Sequence, residues 1–140
     1  AIAIFQAARL RKVYRCFLKA DTRLPMIYMP DAVRATLELM QADSANVQVR
    51  SSYNLAGMSF TPDELAAAII QHVPDFRVTY EPDFRQAIAD TWPRSIDDSQ
   101  ARSDWGWHAR VALDDLVADM IRNIPLAWDG EPEPTQVMRV

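Results

Sequence analysis

Few residues in this 140-residue chain stand where chemistry could begin. There are two histidines, His72 and His108, and neither has a second His or Cys at ligand spacing, so no metal site is expected. His72 has a plainer use: it falls near the end of a helical pattern, where a cation complements the helix dipole. The single cysteine, Cys16, excludes an internal disulfide and fits a small buried hydrophobe in a reducing compartment. Asp97, Asp98 and Asp104 could make paired carboxylates, but helix capping by Asp97 and a solvated Asp104 account for them more simply. No Ser or Cys has a neighbouring His to activate it. Three glycines, Gly57, Gly106 and Gly130, lie far apart, so no glycine loop can cradle a phosphate. The chain is expected to hold no catalytic residue and no cofactor of its own.

Composition narrows the class. Hydrophobic residues make up 49% and charged residues 24%, which is ordinary for one globular domain. The net charge of −4 and the lack of a Lys/Arg block argue against nucleic acid. The longest uncharged apolar run is about ten residues, too short to span a membrane. Cations follow the first apolar stretch at Arg9, Arg11 and Lys12, the wrong order for a secretory signal, so a cytoplasmic location is expected.

The elements that would position these residues alternate irregularly. Residues 1–12 form an amphipathic helix ending in cations, and residues 14–18 and 25–29 are short strands. Asp31 heads a helix whose apolar stripe is Val33, Leu37 and Met40, with Ala32, Ala35 and Leu39. Residues 46–56 alternate as a strand, Val47, Val49, Ser51, Tyr53 and Leu55 on one face. Thr61-Pro-Asp-Glu is a capping box opening a helix to His72, with Phe60 and Leu65 as its hydrophobic staple. A strand at 76–80, a helix at 84–92 halted by Pro93, a helix from Asp97 or Asp98 to Gly106, and a helix at 113–124 complete the domain. The expectation is α/β (α+β in isolation), about five helices and three or four short strands over residues 1–125, with an extended tail at 126–140. The strands are too short for a free-standing sheet, which points to part of something larger.

Two stretches carry a resemblance. Arg23-Leu-Pro-Met-Ile-Tyr-Met-Pro-Asp-Ala-Val-Arg-Ala and Asp97-Asp-Ser-Gln-Ala-Arg-Ser-Asp-Trp-Gly-Trp resemble two segments of the extended short-chain dehydrogenases, the epimerase/dehydratase family. Tyr53-Asn-Leu-Ala lies between them, where that family has a strand. Asp21-Thr-Arg-Leu-Pro-Met, Ala56-Gly-Met-Ser-Phe-Thr-Pro and Trp92-Pro-Arg-Ser-Ile-Asp-Asp-Ser are similar to the short-chain type of L-threonine 3-dehydrogenase within it. Leu24-Pro25-Met26 departs from the sugar-nucleotide enzymes.

The resemblance implies the C-terminal, substrate-side lobe of an NAD-dependent enzyme that oxidises threonine to 2-amino-3-oxobutanoate. The glycine fingerprint and the Tyr-x-x-x-Lys pair would lie in another half. The latter is absent here: the residues four after Tyr14, Tyr28, Tyr53 and Tyr80 are Leu18, Ala32, Gly57 and Phe84. Trp92, on a Pro-broken segment, is the first candidate for touching substrate, with Met26 and Tyr28 behind it. Arg23, at the position of a phosphate-gripping arginine, is expected to serve an internal ion pair, since threonine has no phosphate. Expected partners are a dinucleotide-binding half and a second copy of the chain, met through the 1–10 helix and the 47–55 strand. The rival is a stand-alone, non-enzymatic interaction or small-molecule-binding module.

Overall fold

The computed structural model describes residues 2–10 and 12–125, so the tail expected at 126–140 lies outside the described residues. Among the described residues six helices and four short strands follow in the order α1 (Ile2–Arg9), β1 (Val13–Cys16), β2 (Leu24–Met26), α2 (Met29–Gln41), β3 (Met58–Phe60), α3 (Pro62–His72), β4 (Arg77–Tyr80), α4 (Phe84–Ala89), α5 (Ser99–Trp105) and α6 (Leu113–Asn123). This is the mixed α/β class the sequence implies.

The strands form two separate pairs. β1 and β4 are parallel, Val13 opposite Arg77 and Cys16 opposite Tyr80. β2 and β3 are antiparallel, Leu24 opposite Phe60 and Met26 opposite Met58. Gly57 follows in that register, and a Cβ there would sit 2.4 Å from the Met26 carbonyl oxygen. Only glycine lets the two backbones come this close.

The main core lies between α1, α3 and α6. Ile4, Phe5 and Ala8 of α1 meet Leu65, Ala68 and Ile69 of α3 and Leu116 and Val117 of α6, closed by Phe60 and Phe76. A smaller cluster holds Ala35, Ala101 and Trp107, with Ile27, Tyr53 and Leu55 against it. Trp107 is 1% exposed and donates its indole N–H to the Ala56 carbonyl.

Local signals act as their chemistry requires. Glu64 N–H donates to Thr61 Oγ1 at 3.2 Å and Thr61 N–H donates to Glu64 Oε2 at 2.9 Å, the reciprocal capping box. Gly106 ends α5 with φ 74°, the left-handed turn that favours glycine. Asp97 Oδ1 accepts from Ser99 N–H at the start of that helix.

Three expectations need correction. Residues 46–56 form no strand: Val47, Val49, Tyr53 and Leu55 are half-buried, but the backbone has no neighbouring strand to bond. Alternation records a face, whereas a strand needs a partner edge. The first helix is not a free apolar surface either, because Ile4, Phe5 and Ala8 are core. Finally, the stripe on α2 points outward: Val33 is 52% exposed, Leu37 53% and Met40 77%, while Asp31 and Ala35 face in.

Candidate functional site

Trp92 stands just beyond α4. Its N–H donates to the Ala89 carbonyl and Thr91 Oγ1 donates to Ile88 O, tightening the last turn before Pro93 forbids another. The indole is left 54% exposed. α4 itself is anchored by Gln86, 7% exposed, whose Oε1 accepts from Lys19 N–H at 2.8 Å and from Thr22 Oγ1 at 3.1 Å. Arg85 extends that anchorage, its guanidinium stacked 3.5 Å over the Phe17 ring and paired with Asp83.

Two clefts share the Trp92 indole. One, of about 300 Å³, is mainly apolar and bounded by Met26, Leu55, Pro93 and Ile96. The other, of about 280 Å³, is polar and bounded by Lys19, Asp21, Asp90 and Arg94. The structure therefore brings Trp92 and Met26 together. It places Tyr28 elsewhere, in a cleft with Ile2, Gln6 and Met120, with its hydroxyl donating to the Asp119 carboxylate. That hydrogen bond, with burial, raises the Tyr28 pKa.

Arg23 borders the polar cleft but is already engaged. One guanidinium nitrogen donates to Ser59 O at 2.6 Å and the other pairs with Glu64. The Thr61 N–H, and then Arg23, hold the Glu64 carboxyl below its usual range.

Other titratable residues serve the fold. Asp104 is not merely solvated: Tyr53 hydroxyl donates to it at 2.6 Å and Gln100 at 2.7 Å, and the Tyr53 bond leads in lowering its pKa. Asp98, 5% exposed, accepts from Arg102 and from Ala56 N–H. A further cleft, about 570 Å³, is open and polar, at the C-terminal ends of α2 and α5, with His108 and Arg110 on its wall. Among the described residues no three His, Cys, Asp or Glu come together to hold a metal.

Sequence reasoning missed the Asp31 centre. Asp31 Oδ2 accepts the N–H groups of Arg110 at 2.9 Å and Val111 at 3.0 Å, and Oδ1 accepts from Arg34 at 2.8 Å. Arg34 also reaches Glu38 and the His108 carbonyl, and lies 4.6 Å over the Trp107 ring. An aspartate inside the first turn, without a cap role, with an arginine three residues on, was the one available signal.

Of the glycines among the described residues, Gly57 is filled by its own neighbours Met26 and Ile27, and Gly106 is a helix cap.

No family model matches the sequence. Curated relatives do. The chain is 50% identical over 122 residues to the mitochondrial L-threonine 3-dehydrogenase of Bos taurus, covering 86% of this chain and 32% of that protein. It is 40% identical over 125 residues to an uncharacterized epimerase/dehydratase of Staphylococcus haemolyticus, covering 89% and 39% respectively. Among solved structures, the GalE-like L-threonine dehydrogenase of Cupriavidus necator in its apo form superposes with a TM-score of 0.84 at 58% identity, over 88% of this chain and 44% of that one. The L-threonine dehydrogenase of Phytophthora infestans superposes with a TM-score of 0.81 at 48% identity, over 86% and 39%. The chain's homologues are L-threonine 3-dehydrogenases and epimerase/dehydratase proteins, and it spans between 32% and 44% of the lengths of these relatives.

Proposed function

We propose that this chain, a homologue of part of the L-threonine 3-dehydrogenases, is the C-terminal, substrate-side portion of such an enzyme. The observation that carries the reading is the joint agreement of sequence and fold, 58% identity at a TM-score of 0.84. The whole enzyme would oxidise threonine at its 3-hydroxyl to 2-amino-3-oxobutanoate, with NAD bound by a dinucleotide-binding half that this chain complements. The Cupriavidus necator relative is also known in a holo form.

This chain's contribution is enclosure. Trp92 and Met26 wall an apolar cleft that suits the small aliphatic part of an amino acid, and covering it excludes water from the reacting carbon. Tyr28, the third candidate, has its hydroxyl tied to Asp119 and lies in a separate cleft. A reducing, cytoplasmic setting accords with the single free, buried Cys16. No helix among the described residues is long and apolar enough to cross a membrane.

The test joins this chain to the portion of the Cupriavidus necator enzyme that it does not match. The isolated chain should not reduce NAD+ with threonine at neutral or mildly alkaline pH, and the chimera should. Trp92→Ala in the chimera should raise the KM for threonine about tenfold or more, with a smaller change in kcat. Turnover by the isolated chain overturns the reading. So does a chimera that folds and binds NAD but leaves threonine untouched.

A further inference from the structure

The helix that carries Trp92 is held in an unusual way. α4 has six residues, too few to stand as a helix in water, so its place depends on what it touches. Large apolar side chains do not seat it. Phe84 is 75% exposed, Ile88 54% and Trp92 54%, at positions four apart on one outward face. The one buried residue of the helix is Gln86. Apolar contacts are non-directional, and a helix resting on them can slide. A buried amide holds its partners only within a narrow range of distance and angle, so a helix resting on it has one register.

Gln86 is bonded on both sides. Its Oε1 accepts Lys19 N–H at 2.8 Å and the Thr22 hydroxyl at 3.1 Å, both in the loop between β1 and β2. Its Nε2 donates to Asp90 Oδ1 at 2.6 Å, one turn on and two residues before Trp92. The entrance to α4 is fixed separately: Glu81 N–H donates to the Cys16 carbonyl at 2.8 Å and Asp83 N–H to the Phe17 carbonyl at 3.2 Å. From residue 86 to residue 92, Gln86 alone makes a hydrogen bond outside the segment 83–92 to any described residue. Trp92 then follows the helix end closely. The Thr91 and Trp92 N–H groups donate to the Ile88 and Ala89 carbonyls, each at 3.1 Å, and Pro93 allows no further turn.

We infer that Gln86 is a positioning residue for the proposed oxidation of threonine: it fixes the exit of α4 and thereby sets where the Trp92 indole stands against the apolar cleft. This rests on the function proposed above. Gln86 borders the polar cleft and not the apolar one, so it acts on substrate only through Trp92. A wall displaced by a fraction of its own width no longer fits a small substrate, and orientation is the part of catalysis most sensitive to such shifts.

The experiment is a double-mutant cycle in the Cupriavidus chimera, with Gln86→Leu, Trp92→Ala and both together. Leucine keeps the approximate volume of glutamine and removes all three bonds. Gln86→Leu alone should raise the KM for threonine about fivefold or more and leave the KM for NAD+ within about twofold. In the Trp92→Ala background the same change should add less than about twofold, because the side chain it acts through is gone. Gln86→Glu with Asp90→Asn keeps the acceptor for Lys19 and Thr22 and reverses the direction of the bond between positions 86 and 90, so the KM should return to within about twofold of the unsubstituted chimera. In the isolated 140-residue chain, Gln86→Leu should speed amide exchange at residues 90–92 about tenfold or more. Its thermal midpoint should fall by less than about 5 °C, since the core between α1, α3 and α6 is untouched.

An equal rise in KM with and without Trp92 overturns the inference, because Gln86 would then act on the structure at large. So does an unchanged KM, or unchanged exchange at residues 90–92. A larger fall in midpoint that the paired variant does not reverse overturns it as well. If the unsubstituted chimera folds and binds NAD but leaves threonine untouched, the proposed function fails. Faster exchange at residues 90–92 would in that case keep Gln86 as the residue that holds the Trp92 turn and remove its role toward threonine.

Discussion

Asp31→Asn tests how α2 is held the right way round. The carboxylate is 2% exposed and accepts three hydrogen bonds, from Arg34 at 2.8 Å and from the N–H groups of Arg110 and Val111 at 2.9 and 3.0 Å. Asparagine has the same shape but one acceptor oxygen. If that oxygen takes the two backbone N–H groups, the amide NH2 faces the Arg34 guanidinium, donor against donor. If the amide flips, two backbone donors are orphaned. Loss of a buried charge-assisted bond is worth roughly 1.5–3 kcal/mol. Arg34 is not stranded, because Glu38 at 2.8 Å, the His108 carbonyl at 2.6 Å and the Trp107 ring at 4.6 Å remain. The expected deficit is therefore about 2 kcal/mol, below the roughly 3–5 kcal/mol of a buried pair broken outright.

The pH dependence of that deficit is the stricter part. Burial raises the Asp31 pKa, but Arg34 and the two N–H groups outweigh it, so the folded value lies below the usual carboxylate range. A lowered folded pKa gives stability that is present above the unfolded value, about pH 4, and lost as pH falls through the folded value. Urea unfolding followed by circular dichroism should show the variant about 2 kcal/mol weaker at neutral pH, with the gap closing in acid. A neutral deficit under about 0.5 kcal/mol, or one of equal size at every pH, refutes the argument.

Three further substitutions probe the frame. Thr61→Ala removes the hydroxyl half of the capping box and should cost about 1 kcal/mol in chemical denaturation. Gly57→Ala puts a methyl 2.4 Å from the Met26 oxygen and 2.8 Å from Ile27 Cα, both main chain, so about 2 kcal/mol should be lost and the β2–β3 amides should exchange faster. Trp107→Ala empties the centre of the smaller cluster, where the ring is 1% exposed, and should cost about 3–5 kcal/mol, read as the loss of thermal midpoint.

What the sequence told of this fold was local. Thr61, Pro62 and Glu64 announce a helix start because a capping box is closed within four residues. Gly106 announces a helix end because a left-handed turn needs no distant partner. Residues 47–55 misled because alternation tells which side chains share a face and says nothing of whether an edge waits beside the backbone. Val33, Leu37 and Met40 misled likewise: periodicity defines the stripe, while the Asp31 bonds to residues 79 and 80 positions away decide which way it turns. Trp92 and Met26 could be named as candidates from the sequence, but the cleft they share could not be read there, because it depends on how α4 is anchored through Gln86 to the loop at Lys19 and Thr22.

The parallel pairing of β1 with β4 sets a schedule for synthesis. Val13 cannot meet Arg77 until the chain beyond Tyr80 has cleared the ribosome, and α1 must wait longer still. Its Phe5 and Ala8 share a core with Leu116 and Val117, and Arg9 donates to the Ile124 carbonyl, 115 residues on. Closing loops of this span carries a large entropic cost before any contact repays it. Within this segment α1 is thus made before the elements that cover it, and its apolar face stays open to chaperones or to aggregation until they have emerged. Release of α6 from the ribosome is the event that ends that exposure.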